Sequence, residues 1–406
     1  MTFSVTHITF SSQGGAGQVA DRLVEAQKDI GYKSSILKLT DSGVQSFALS
    51  NPMLFWTAVF DQYVIRTDWK NPLFGLYRKS KRNRIINNSR NKTFEIVHLH
   101  WISGTIPLTN LCDWIGPRKC VWTLHDMWPF TGGCHHSLDC GKYVDLCDNC
   151  PQVKKPFKRS VSINLQSKVD QISKIKNLRV VAPSNWIAAK ARESRVFRGM
   201  KIDVIPNPVD TSVFCPSDKD EARRKFQIPV SSFVIGCSAA NLSDPQKNID
   251  ELVRQTKTLT EKYPDVGFVL LAIGSGKIEA VGCEVKQTGL IENQKLMAVA
   301  YNAMDVFVSF AIAENSPLTL IEASASGVPT VCMDRGGMPE IVLHEDTGFV
   351  LSDYDEFGSC IKKLFDPLHQ NYLSQNARDQ AVSRFSLDSV LKQYEEIYRE
   401  LQSVSW

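Results

Sequence analysis

The passage that decides the fold runs Asp305-Val306-Phe307-Val308-Ser309, then Glu314-Asn315-Ser316-Pro317-Leu318-Thr319-Leu320-Ile321-Glu322, then Gly327-Val328-Pro329. The first segment reads as a buried strand, and Pro317 suits the first turn of a helix, where its missing N–H costs nothing. The passage is therefore a strand, a loop and a helix. Amides of Ser316, Leu318 and Thr319 at that helix start would suit the phosphates of a nucleotide. Glu314, ahead of the helix, is expected near a sugar, and Glu322, about two turns on, is expected to accept hydrogen bonds from a ribose.

The same alternation recurs on either side. Apolar runs fit strands at residues 4–10, 34–38, 96–100, 120–125, 179–182 and 203–205, and again at 233–238, 267–273, 285–288, 306–309, 330–333 and 348–351. Longer helical patterns separate them, so the chain is expected to be α/β, with two parallel sheets covered by crossover helices. At 406 residues it exceeds what one core usually serves. The prolines of Pro206-Asn207-Pro208-Val209-Asp210 stop regular structure, which predicts an N-terminal domain over 1–208 and a C-terminal one over 209–384. Val390, Tyr394, Ile397, Tyr398 and Leu401 at helical spacing predict an amphipathic helix in the last segment, 385–406.

A hydrophobic fraction of 43% and a charged fraction of 22% are those of a globular protein, which excludes general disorder. The net charge of +4 is too small for a dedicated nucleic-acid binder. The first residues alternate like a strand and carry no basic and apolar leader, and no apolar run reaches the roughly 20 residues of a membrane span. A cytoplasmic location is expected, and with it thiols or metal ligands rather than disulfides for the 11 cysteines.

Two glutamates separated by seven residues, ahead of a small-residue helix and Gly-Val-Pro, resemble the signature of the family-four retaining glycosyltransferases. The resemblance extends through Gly14-Gly15-Ala16-Gly17, Pro183-Ser184, Pro206-Asn207-Pro208-Val209-Asp210 and Gly274-Ser275-Gly276. Through the Cys-rich loop that follows His125-Asp126-Met127-Trp128-Pro129-Phe130 it is also similar to a bacterial exopolysaccharide subgroup of the colanic-acid type. It implies two Rossmann-like domains facing across a cleft (the GT-B fold), with the C-terminal helix crossing back to the N-terminal domain. It also implies a nucleotide-diphosphate sugar as donor, a saccharide or lipid-linked acceptor, and retention at the anomeric carbon without a catalytic metal.

Residue by residue, the resemblance puts Gly15 and Gly17 against the donor diphosphate or the acceptor, although a glycine loop alone equally fits a tight strand-to-helix turn. His125, at the end of an apolar run, matches the histidine that bonds the donor sugar. Lys247 matches the lysine that faces the leaving diphosphate. The arginine expected five or six residues earlier is missing, and Asn241 stands there. Asn207 falls in a family segment and is assigned to the donor side with Asn241, Ser316, Pro317, Leu318, Thr319 and Glu322. His98 and His100 are possible acceptor-side residues, with at most one ring expected in the core.

Cys134, Cys140, Cys147 and Cys150 share one loop, and Cys147-Asp148-Asn149-Cys150 has the two-residue gap of zinc sites. The expectation is a structural zinc with no part in catalysis, with His135 or His136 as substitute ligands. Arg78, Lys79, Lys81, Arg82, Arg84 and Arg90 gather beside Trp69, Phe74 and Tyr77, a pattern that fits a solvated helix face or, with a lipid-linked acceptor, peripheral contact with anionic lipid at the inner face of the membrane. Two further readings stay open: a nucleotide-sugar epimerase or phosphorylase with the same two-domain plan, and a non-catalytic sugar-nucleotide-binding protein, favoured by the missing arginine.

Overall fold

The computed structural model describes residues 3–12, 14–38, 67, 95–103, 111–278 and 282–403. The basic and aromatic stretch around Arg78 to Arg90 lies outside them. The chain divides into two compact units, Met1–Pro206 with Val390–Trp406, and Asn207–Ser389.

In the first unit the strands are β1 (Ser4–Thr9), β2 (Lys33–Lys38), β3 (Ile96–Leu99), β4 (Lys119–Thr123), β5 (Leu178–Ala182) and β6 (Ile202–Val204). They form one parallel sheet in the order β2-β1-β3-β4-β5-β6. β1, β3, β4 and β5 are buried along almost their whole length, as a sheet covered on both faces requires. Helices α1 (Gly15–Asp29), α2 (Leu111–Ile115), α3 (Lys158–Ile172) and α4 (Asn185–Glu193) belong to this unit. Its core includes Trp122, Phe130, Phe197 and Leu165, all buried.

The second unit repeats the plan with β7 (Phe233–Asn241), β8 (Phe268–Ser275), β9 (Glu284–Gln287), β10 (Val306–Ser309), β11 (Thr330–Met333) and β12 (Gly348–Leu351), ordered β12-β11-β10-β7-β8-β9. Its helices are α5 (Lys219–Lys225), α6 (Ile249–Lys262), α7 (Gln294–Asn302), α8 (Leu318–Ala325), α9 (Phe357–Lys363) and α10 (Pro367–Gln380). All twelve strands fall where the apolar runs put them, within a few residues. At the amino end of β10, Asp305 ties the unit together: it pairs with Lys219 at 2.7 Å and with Arg223 at 2.6 Å, and accepts the Val234 amide at 2.6 Å.

The last helix, α11 (Leu387–Ser403), belongs to the first unit from Val390 onward. Val390, Leu391, Tyr394, Ile397, Tyr398 and Leu401 form its buried face. At roughly 1.5–3 kcal/mol for each large apolar side chain buried, that face is enough to hold the helix down. No helix among the described residues is long and apolar enough to cross a membrane.

Candidate functional site

In an open parallel sheet, ligands bind beyond the carboxyl ends of the strands where the winding reverses. In the second unit that point lies between β7 and β10, which are neighbours although β8 and β9 intervene in the chain. The loop after β7 carries Lys247, the loop after β10 carries Glu314, and the two side chains form an ion pair. Both are partly buried, and the Glu314 charge raises the Lys247 pKa above its ordinary value against the opposing cost of burial.

The backbone under Glu314 is fixed from the other side. Its carbonyl accepts from the Gly337 amide at 3.0 Å, and a Cβ on Gly336, whose φ is +64°, would stand 1.9 Å from the same oxygen. Only glycine fits there. The preceding Arg335 donates to the Tyr354 hydroxyl at 3.2 Å, which also receives Asn248 at 2.8 Å, the residue after Lys247. Arg335 is a cation beside the site that sequence reasoning missed. An arginine before Gly336-Gly337 has no spacing rule that announces it.

Helix α8 starts at Leu318, with Pro317 as its N-cap rather than its first residue. The amides of Leu318 and Thr319 are in the first turn, where no carbonyl of the same helix can reach them. The carbonyl of Ser316 accepts from Asn207 Nδ2 at 2.9 Å, so the buried Asn207 braces the loop. Glu322 is buried and accepts from the Tyr301 hydroxyl at 3.1 Å. Asn241 is exposed at the end of β7, with its Oδ1 accepting the Ser243 amide at 3.0 Å.

In the first unit the winding reverses between β1 and β3. Gly14 is the N-cap of α1, with φ +85°, and Gly15 opens the helix at the surface. Gly17 is buried, and a Cβ there would meet the Ser11 carbonyl at 2.1 Å. Its missing side chain serves the approach of helix to loop.

At the same edge four histidines gather, three of them in a hydrogen-bonded line. His7 Nδ1 lies 2.9 Å from His100 Nε2, and His100 Nδ1 lies 2.9 Å from His125 Nε2. His7 and His98 are register partners on β1 and β3. His98 and His100 are both buried, contrary to the expectation that at most one would be, because residues two apart on an extended chain share a face. His125 falls two residues past β4 and keeps part of its surface at solvent. Burial lowers the pKa of His7 and His125 to about 4, and holds His98 and His100 well below the ordinary value. All four are neutral near pH 7. Next to them, Asp126 accepts from Trp101 Nε1 at 2.6 Å and pairs with His135 at 2.6 Å.

The four cysteines Cys134, Cys140, Cys147 and Cys150 line one cavity of about 10 Å³. The Gly132 amide donates to Cys147 Sγ at 3.3 Å. Lys168, fully buried, lies 3.9 Å from the centre of the Trp128 ring and donates to the carbonyls of Trp128 and Thr131, not to a carboxylate. Among the described residues, the trio with ligating atoms within 4.8 Å of one another is His7, His98 and His100, so the cysteine sulfurs stand wider apart.

Two family models match the chain: Glycosyltransferase Family 4 over residues 13–213 and Glycosyl transferases group 1 over residues 232–366. The chain belongs to the family 4 glycosyltransferases. It is 28% identical over 216 residues to the UDP-Gal:alpha-D-GlcNAc-diphosphoundecaprenol alpha-1,3-galactosyltransferase of Escherichia coli, covering 50% of this chain and 55% of that one. To the N-acetyl-alpha-D-glucosaminyl L-malate synthase of Bacillus anthracis it is 26% identical over 408 residues, covering 97% and 95%. The chain thus spans about half of the first relative and nearly all of the second. In structure it is similar to HepE of Anabaena in complex with UDP, with a TM-score of 0.66 at 16% identity over 98% of this chain and all of that one. At that identity the likeness shows a common fold of two Rossmann-like domains. In this family setting, the two strand-edge loops with Lys247 and Glu314 are the first place to look for a donor sugar.

Proposed function

We propose that this chain is a retaining hexosyltransferase that moves a sugar from a nucleotide-diphosphate donor to a saccharide or lipid-linked acceptor in bacterial surface polysaccharide synthesis. The observation that carries the proposal is the Lys247–Glu314 pair at the winding reversal of the second sheet. A cation and a carboxylate held there together match the two ends of a nucleotide sugar, the leaving diphosphate and the sugar hydroxyls.

Lys247 offsets the charge that builds on the diphosphate, and the first-turn amides of Leu318 and Thr319, with Ser316 before them, receive its oxygens. Pro317 and Asn207 shape that loop. Glu314 accepts from the sugar hydroxyls, and Glu322, oriented by Tyr301, accepts from the ribose. Arg335 stands in for the arginine that Asn241 replaces. His125, with Gly15 and Gly17, serves the sugar and acceptor side in the first unit. No side-chain nucleophile is required: the acceptor hydroxyl attacks from the side of the leaving group, whose phosphate takes the proton. Orientation and fixed charge then supply the rate.

The test is a thermal-shift screen of the full chain against UDP-, GDP- and ADP-sugars, since a ligand that binds the folded state raises its melting temperature. A shift with one nucleotide class, lost in Glu322→Ala, is expected. Equal behaviour of wild type and variant with every donor would contradict the assignment.

We further take the cysteine loop to hold a structural zinc through Cys134, Cys140, Cys147 and Cys150. The shared cavity, the amide aimed at Cys147 and the buried Lys168 amine, whose pKa burial lowers to about 7 and which a tetrathiolate centre would hold protonated, support it. Binding would have to draw the sulfurs inward to the roughly 2.3 Å of Zn–S bonds. About one zinc per chain by elemental analysis, lost together with thermal stability in Cys147→Ser/Cys150→Ser, is the expected result. A fully stable zinc-free protein would exclude it. Peripheral contact with the inner membrane face is the corollary of a lipid-linked acceptor.

A further inference from the structure

The histidine line has a beginning. Gln27 on α1 sits at the junction of two hydrogen-bonded branches. Its Oε1 lies 2.9 Å from His7 Nε2 and accepts Ser34 Oγ at 2.7 Å, while its Nε2 donates to the Tyr398 hydroxyl at 3.2 Å. One branch continues from His7 to His100 and His125. The other continues from Tyr398 to His98 Nδ1 at 2.8 Å, from His98 Nε2 to Thr123 Oγ1 at 2.8 Å, and from Thr123 to the Tyr394 hydroxyl at 3.0 Å.

A neutral imidazole carries one N–H and one lone pair, so a hydrogen bond at one nitrogen dictates the role of the other. A carboxamide oxygen can only accept. His7 must therefore donate through Nε2, which leaves His7 Nδ1 to accept from His100 Nε2–H. His100 Nδ1 then accepts from His125 Nε2–H. On the other branch, a tyrosine oxygen that accepts from Gln27 turns its own proton to His98 Nδ1, and His98 donates through Nε2 to Thr123. Turning the carboxamide over would invert every one of these bonds. The network has two polarities, and one side chain selects between them.

We infer that Gln27 is a positioning residue that sets His7, His98, His100 and His125 together as Nε2–H tautomers, and so fixes the polarity of the line that ends at His125, two residues past β4. The kinetic outcome given below rests on the transferase reading; the tautomer assignment does not. Burial supports it by keeping the rings uncharged, since an imidazolium donates from both nitrogens and would break the sequence. The titratable groups around the line are Asp21, Asp126 and His135 on the carboxyl-edge loops and α1, and Tyr32, Tyr394 and Tyr398.

The experiment is long-range ¹H–¹⁵N correlation of the ¹⁵N-histidine-labelled full chain near neutral pH, without substrate. Nε2–H signals at all four rings are expected; an Nδ1–H form or an imidazolium at His7, His100 or His125 overturns the inference. Gln27→Met, which fills the space but neither donates nor accepts at that end, is expected to give mixed tautomers at His7, His100 and His125. Tyr398→Phe is expected to disturb His98 alone. Pure Nε2–H signals at His125 in folded Gln27→Met would show that Gln27 does not select the polarity and would refute the inference. In a transfer assay the same variant is expected to lose about tenfold in kcat with donor KM little changed, the rate equivalent of about 1.4 kcal/mol. Because the tautomers are read without donor or acceptor, absence of transfer would count against the function and leave the inference to be judged on the spectra.

Discussion

The two units use the same architecture and equip its reversal points in opposite ways. In the first, β1, β3 and the loop after β4 bring four neutral imidazoles together, three of them in a largely buried line, and their information is the direction of their hydrogen bonds. In the second, β7 and β10 bring a lysine and a glutamate into a half-open ion pair whose information is charge. The difference follows from solvent: neutral rings held by hydrogen bonds can be buried, whereas a cation that is to bind phosphate, as proposed for Lys247, must keep access to its ligand. A sheet edge can thus orient a hydroxyl or neutralise a phosphate, and this chain has one edge suited to each.

The sharpest way to break this contrast is at the opposite edge of the second sheet. If charge at the amino edge serves stability and charge at the carboxyl edge serves chemistry, Asp305→Ala should cost roughly 3–5 kcal/mol in denaturant unfolding, because it strands the buried Arg223. Lys247→Ala should leave the unfolding midpoint nearly unchanged and lower kcat about a hundredfold, the scale of one preorganised electrostatic contact. A large stability loss in Lys247→Ala would dissolve the distinction.

Acid sharpens it next. The depressed histidine pKa values mean that the unfolded chain binds more protons than the folded one between the free-histidine value of roughly 6.5 and the folded value near 4. Stability should therefore fall as pH drops through that window, by up to about 1.4 kcal/mol per pH unit for each such ring, titrating as a coupled set. Lys247, held above its ordinary pKa, stays charged throughout. Unfolding followed against pH in wild type and in His7→Asn separates the two, with a shallower acid slope expected in the variant. The smallest effect is at Arg335. Its replacement by Ala should raise donor KM several-fold, near 1 kcal/mol, with kcat largely kept, as expected for a contact made equally in ground and transition states.

What could be read beforehand follows from the range of the interactions. The strands are local apolar runs in a parallel sheet, so β1 to β12 stand in the sequence almost as they stand in the fold, and so does the apolar stripe of α11. Glu314 and Lys247 stand out in the sequence through their motif, and their ion pair needs only the two loops to meet. The rest depends on contacts between distant segments. Gly17 reads as a ligand contact from its motif, and only the fold adds that the Ser11 carbonyl stands 2.1 Å from where its Cβ would be. Asn207 sits 109 positions from the carbonyl it braces. Gln27 and Tyr398, 371 positions apart, join the histidines only because α1 and the returning α11 cover the same part of the sheet. No pattern of spacing along the chain announces such a network.

The most direct test of the central claim, that the pair at the β7–β10 edge is the donor site of a transferase, is release of nucleoside diphosphate by the purified full chain. It should be measured across a panel of nucleotide sugars, with and without saccharide or lipid-linked acceptors, for wild type and Glu314→Gln. Acceptor-stimulated release from one donor, reduced at least about a hundredfold in the variant at unchanged melting temperature, is the predicted result. Release by Glu314→Gln at the wild-type rate would contradict it.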